Sequence, residues 1–479
     1  MTRKITVKKF AKNVVFSILA QIISMAVSFV LTLIVPKFID VFQYSYWQMY
    51  VLYVGYVGIL HFGLLDGIVL KYSKYDYDEL DKNKIRSQVF IMLVFTSIIT
   101  LISVIVSLSV FDLPNKLIFV FVAIGIITKN LGTYSSYMFQ ITNRINKYVI
   151  LTISQRLIYG VFVVLFLVLR LNDFYWYCIA DLIGDVVGIV IGIIYNKELF
   201  IGNPISPKDA FSELKINISS GIILMMANWS AMLLIGSAKM IIQWHWDELV
   251  FGKVSFAFSV SNIFLVFVSA ISVVMFPSLQ RIDPNNLPNL YKSVRNILSP
   301  ILFFMMIFYF IGCWILNLWL PKYSESLVYL GILLPIIIFS SKVNLLTNNY
   351  LKVFRKEKLM LLANGVSIAL GIGLFSLCAF VFNNLTLLLI CILFVIMFNS
   401  VLSEIFVLKT IRVVIIKEFI FEGLMTVGFV LCASLLSLWI GFAVYCGLFL
   451  IYCAFNYKLI KEIFLRFRKK KNNEVEGEN

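Results

Sequence analysis

Charge is scarce in this chain. Only 14% of its 479 residues are Asp, Glu, Lys or Arg, against about 25% in soluble domains. Histidine is scarcer still, with His61 and His245 alone, so no HExxH zinc site can form. No GxxxxGK[ST] loop is present to cradle a nucleotide phosphate, which excludes an ATP-driven pump built from this chain alone. The 7 cysteines all lie inside apolar runs and show neither metal spacing nor a disulfide framework. No polar stretch is long enough to hold a soluble catalytic domain, and nothing assembles a nucleophile, a base and an orienting group. The expectation is a non-enzyme with no metal and no cofactor.

What is abundant is apolar sequence: 61% of the residues are hydrophobic and they gather in long runs. A helix needs about 20 such residues to cross a hydrocarbon core of about 30 Å. Fourteen runs qualify, which predicts an all-α polytopic membrane protein. The second run covers 47–70, the tenth 327–350, and the last two, 418–437 and 439–456, turn near Ser437. Lys and Arg crowd into alternate connections, such as Lys71, Lys74, Lys82, Lys84 and Arg86, then Lys352, Arg355, Lys356 and Lys358, then Lys458 to Lys471. The intervening connections hold only Lys37, Lys116, Arg170, Lys239 and Lys322. Positive charge marks the cytoplasmic face, so both termini are expected there. The net charge of +16 is thus a topology signal that also suits anionic lipid, and it calls for no nucleic acid. The organisation expected is a cytoplasmic N-terminus (1–12), an N-lobe of six helices (13–195) and a cytoplasmic linker (196–216). A C-lobe of six helices (217–408), an extra helix pair (409–456) and a basic tail (457–479) complete it.

Polar residues inside spans are costly and tend to face a cavity or a partner helix. Asn13, Ser17, Gln21, Ser24, Ser28 and Thr32 fall on one face of the first helix. Asn217, Gly221 and Asn228 form a similar face on the seventh, and Ser255, Ser259, Asn262 and Ser269 on the eighth. These stripes suit either interhelical hydrogen bonding or the lining of a water-filled cleft between repeated lobes. Tyr46, Tyr50, Tyr53 and His61 share a face of the second helix, as an interfacial belt or a surface for sugar stacking.

Charged residues mark one layer. Lys129, Arg156, Asp185 and Lys342 fall about 10–15 Å from the cytoplasmic helix ends at about 1.5 Å per residue. Asp181 lies one turn beyond Asp185, on a helix face shared with Gly188 and Gly192, which with Gly184 admit a close neighbour. Arg156 is expected to pair with Asp185, as a structural ion pair or as part of an H+ or Na+ coupling site. Lys129 and Lys342 show no obvious acidic partner, so with Arg156 they are expected to make a cationic cavity for a phosphate or diphosphate. Pro335 frees the carbonyl of Gly331 and should bend the tenth helix as a gating hinge.

Two stretches are familiar. Residues 43–72, QYSYWQMYVLYVGYVGILHFGLLDGIVLKY, and residues 251–282, FGKVSFAFSVSNIFLVFVSAISVVMFPSLQRI, resemble bacterial Wzx-like polysaccharide flippases of the MATE/polysaccharide-flippase (MOP) superfamily. The resemblance implies two six-helix lobes around a central cavity, and a fourteen-helix form also occurs in lipid II flippases. It implies translocation of an undecaprenyl-diphosphate-linked oligosaccharide across the bacterial cytoplasmic membrane by alternating access, with a polysaccharide polymerase and glycosyltransferases as partners and an ion gradient or the membrane potential as driving force. Asp66, in HFGLLDG, is then a gate residue or a helix-end cap, and His61 of the same motif is a gate residue, a hydrogen-bonded packing residue or a proton carrier. A MATE-like cation-coupled exporter, a lipid II-type flippase and a glycan polymerase are the alternatives. The exporter would favour an anionic pocket, whereas Lys129, Arg156 and Lys342 outnumber Asp181 and Asp185 by one. The polymerase would need a large outer loop, and the outer connections here are short.

Overall fold

A computed structural model of the chain describes residues 21–279 and 282–457. Among these residues 12 helices are long and apolar enough to cross a membrane, and two bent helix pairs raise the number of spans to as many as 14. In chain order they are α1 (Gln21–Phe38), the pair α2 (Val41–His61) and α3 (Leu64–Tyr72), α4 (Lys82–Val110), α5 (Asn115–Ile141), α6 (Ile145–Val168) and α7 (Phe174–Tyr195). Next come α8 (Pro207–His245), α9 (Glu248–Leu279) and α10 (Leu287–Trp319). The pair α11 (Pro321–Leu333) and α12 (Ile336–Val353) precedes α13 (Glu357–Val381), α14 (Leu385–Ile411), α15 (Ile416–Leu435) and α16 (Leu438–Phe455). The chain is therefore a multi-pass, all-α membrane protein.

Local chemistry sets the helix starts. Asp81 accepts the Lys84 amide at 3.1 Å at the head of α4, and Asn384 accepts the Leu387 amide at 2.9 Å at the head of α14. Ser206 caps α8 just before Pro207, whose missing N–H costs nothing at that position. The turn between α15 and α16 falls at residues 436–437, where the sequence places it.

Packing divides the chain into two compact units, Met1–Ser255 and Phe256–Asn479. The division comes later than the 196–216 linker because that linker and α8 are fastened into the first unit. The buried Arg86, in the first turns of α4, donates to the carbonyls of Glu198 at 2.8 Å and Ile201 at 3.1 Å, and also to that of Asn203. Lys82 pairs with Glu198, and Ser87 Oγ accepts the Ile205 amide at 2.9 Å. At the next connection, the Arg144 guanidinium lies 3.8 Å from the Tyr77 ring centroid and donates to the Tyr195 carbonyl.

The HFGLLDG stretch breaks the second span. Phe62 and Gly63 take left-handed φ angles of 49° and 81°, and α2 and α3 meet at 57°. His61 Nδ1 accepts the Gly63 amide at 3.1 Å, which leaves the Nε2 proton facing Asp66 Oδ2 at 3.7 Å. Both side chains are buried; His61 caps the break through the Gly63 amide, and Asp66 sits in the first turn of α3 without a capping hydrogen bond. Gly63 and Gly67 then form a small-xxx-small edge against Asn217 and Gly221 of α8. A Cβ on Gly67 would stand 1.9 Å from the Asn217 carbonyl oxygen, and one on Gly221 would stand 2.1 Å from that of Gly63. Asn217 Nδ2 donates to Gln88 Oε1 at 2.6 Å, and Glu213 pairs with both Lys71 and Lys84 at the end of the seam.

This seam predicts that Gly67→Ala sharply lowers the yield of monodisperse, folded protein in detergent, because backbone must move to admit the methyl group. Gly365→Ala on α13, where a Cβ meets nothing within 4 Å, should leave yield and melting temperature unchanged.

Candidate functional site

The first charged cluster lies in the N-terminal unit, where α2, α5, α6 and α7 meet. Lys129 of α5 places its ammonium 2.8 Å from Asp181 Oδ2 and 2.9 Å from Asp185 Oδ2. Tyr50 of α2 donates to Asp181 at 2.8 Å, Thr128 donates to Asp185 at 3.0 Å, and Gln155 of α6 donates to Asp185 at 2.5 Å. The glycine face of α7 brings these helices together: a Cβ on Gly184 would lie 2.8 Å from the Gln155 carbonyl oxygen, as the small-residue spacing predicts. Asp185 is closed off at 1% side-chain exposure, whereas Asp181 and Lys129 keep 16% and 26%. One ammonium between two carboxylates leaves one net negative charge, and the network is open on the Asp181 side.

The second cluster lies in the C-terminal unit and is closed. Arg295 of α10 and Lys342 of α12 each touch both Glu404 of α14 and Glu422 of α15. The distances are 2.6 and 2.9 Å from Arg295, and 2.7 and 2.5 Å from Lys342. Tyr291 donates to Glu404 at 2.8 Å, and Ser299 Oγ lies 3.4 Å from Glu422 Oε1. No side chain of the four exceeds 3% exposure, and their charges cancel.

Several sequence expectations change here. Lys129 and Lys342 do have acidic partners, so they do not form a free cationic surface for diphosphate. Asp185 pairs with Lys129 and not with Arg156, because α5 and α6 both border α7 and the lysine reaches both carboxylates at once. Arg156 is exposed and makes no ion pair among the described residues. Of the polar stripes, Asn217 and Ser255 are buried and do not line open space, whereas Asn228 and Asn262 are exposed and Gln21, Ser24, Ser28 and Ser259 are half-buried. Asn13 and Ser17 lie outside the described residues. Tyr50 and Tyr53 are engaged in hydrogen bonds, the latter to Gln243 at 2.5 Å. The bend at Pro335 is present, at 47°.

Residues 10–283 match the family of polysaccharide biosynthesis proteins. The chain belongs to that family. Its fold is similar to that of the lipid II flippase MurJ in an inward closed conformation, with a TM-score of 0.66 at 13% identity over 93% of this chain and 99% of that one. A multidrug resistance MATE family transporter of the MOP superfamily, inward-facing, gives 0.58 at 12% identity over 85% and 98%. A MATE protein in a bent conformation gives 0.52 at 11% over 84% and 95%. Among curated proteins no relative is detected. The polysaccharide biosynthesis protein thus has the fold of MOP-type transporters.

In this family member, sequence reading missed Arg295, Glu404 and Glu422. Arg295 lies just outside the apolar run 297–320, in a basic connection that reads as cytoplasmic. Glu404 and Glu422 carried a usable signal, as acidic groups inside apolar runs that must each find a cation.

Removing one partner of a buried pair costs about 3–5 kcal/mol. Lys129→Met should therefore lower the melting temperature in detergent, since two adjacent carboxylates lose the cation that pairs with both. Adding Asp185→Asn to Lys129→Met should recover most of that loss. Equal melting of the two variants would show that the lysine does not neutralise this site.

Proposed function

We propose that this protein moves an undecaprenyl-diphosphate-linked oligosaccharide from the inner to the outer leaflet of the bacterial cytoplasmic membrane. It works by alternating access, with both termini cytoplasmic. The observation that carries this reading is the family match over residues 10–283 in a chain with the MOP transporter fold. The glycan repeat is made by cytoplasmic glycosyltransferases and handed to a polymerase on the far side. Arg156, exposed and free of an ion pair among the described residues, is the phosphate contact that remains from the cationic set.

The Lys129–Asp181–Asp185 network is the coupling site, and its ion is a proton. The ammonium already stands between the two carboxylates at 2.8 and 2.9 Å, where a metal cation would have to sit. A proton needs only a carboxylate lone pair, and Asp181 is the more accessible of the two. Binding of one proton cancels the net negative charge of the cluster, so the loaded site carries no charge through the transport cycle.

Loss of the protein should leave lipid-linked repeat units in the inner leaflet, and re-expression should clear them. In proteoliposomes an imposed pH gradient should drive transport, a sodium gradient should not, and Asp181→Asn should abolish the pH response. Altered drug susceptibility with normal surface glycan would move the assignment to a small-molecule exporter.

A further inference from the structure

The bent pair α11–α12 is the most irregular span of the C-terminal unit. Pro335 interrupts it, the arms meet at 47°, and a π-helical turn at Val343–Thr347 follows directly after Lys342. Such turns depart from regular helical hydrogen bonding and are places where a helix can yield. Beside α10 and α14, which pack along both arms, α15 also touches the span on each side of the bend. On the α11 side, a Cβ on Gly331 would lie 2.7 Å from Tyr309 Oη of α10 and 3.1 Å from the Cβ of Ala433 in α15. On the α12 side, Lys342 meets Glu422 of the same α15 at 2.5 Å. Both contacts sit about 16 Å apart along their respective helices at about 1.5 Å per residue, so α15 runs antiparallel to the bent pair in matched register. Phe419 of α15 reinforces the second contact, with its ring centroid 5.3 Å from the Lys342 ammonium and 5.4 Å from the Arg295 guanidinium carbon.

We propose that α15 is a splint across the Pro335 bend and that Glu422 is the positioning residue which fixes the angle between α11 and α12. The bend then does not flex as an independent hinge: it moves with α15 as one body. α15 is accordingly a working part of the C-terminal unit. This holds whatever cargo the protein carries, because every contact invoked lies among α10, α11, α12, α14 and α15.

The test is a distance measurement across the bend. Spin labels carried by genetically encoded keto residues at Val328 and Lys352, both exposed, report the α11–α12 angle in the full chain by double electron–electron resonance. Wild type should give a single narrow distance. Lys342→Met combined with Glu422→Leu removes one charge of each sign and keeps the Arg295–Glu404 pair, so it should fold with near wild-type melting while its distance distribution broadens or splits. Ala433→Leu, at the other contact, should shift the mean distance without touching the charges. The proposal is overturned if both variants keep the wild-type distribution, or if wild type itself shows two distances. It is equally overturned if neither variant folds, since the contacts would then be needed for folding itself.

Discussion

An ionised side chain placed in a hydrocarbon slab must find a counter-charge, and most of this architecture follows from how that requirement is met. Desolvating a single charge costs several kcal/mol, which one partner offsets only in good geometry with the remaining lone pairs satisfied. Both buried clusters answer this by drawing charge from several helices at once. Lys129 binds α5 to α7, with Tyr50 and Gln155 adding α2 and α6. Arg295, Lys342, Glu404 and Glu422 bind α10, α12, α14 and α15. Neither cluster adds much net stability relative to well-packed apolar residues. Each does specify which helices are neighbours, since any other pairing would strand a charge.

The two clusters differ in a way that separates their roles. The C-terminal quartet is neutral and closed, with every charge touching two of opposite sign. Taking up an ion there would create an uncompensated charge among side chains no more than 3% exposed, so the quartet suits holding a geometry. The N-terminal cluster has one carboxylate in excess and leaves Asp181 partly open. Taking up a cation there removes a charge imbalance. Exposure and net charge together, more than the mere presence of buried charge, are what distinguish the two clusters.

The number of spans, the glycine face of α7, the bend at Pro335 and the turn near Ser437 were legible in the sequence because each depends on a local property: run length, small-residue spacing, a missing amide, a helix end. The break at Phe62–Gly63 was not. Nothing in the apolar run 47–70 shows that α8 presses its backbone against Gly63 and Gly67, and the left-handed turn exists in the context of that approach. The charge pairings were also out of reach, because sequence gave the depth of Lys129, Arg156, Asp185 and Lys342 but not their direction around each helix axis. Depth alone made Arg156 and Asp185 partners across a hairpin, whereas direction gave Asp185 to Lys129.

The same distinction bears on the HFGLLDG stretch that carried the family resemblance. Its residues read as a possible gate because Asp66 and His61 are polar and sit near the cytoplasmic end. In the folded chain both are buried beside the helix break, and the two glycines are the residues that contact another span. The motif thus holds α3 against α8, while the Arg86 contacts hold the connection that leads into α8. That connection, expected as a linker over 196–216, is therefore part of the packing of the N-terminal unit.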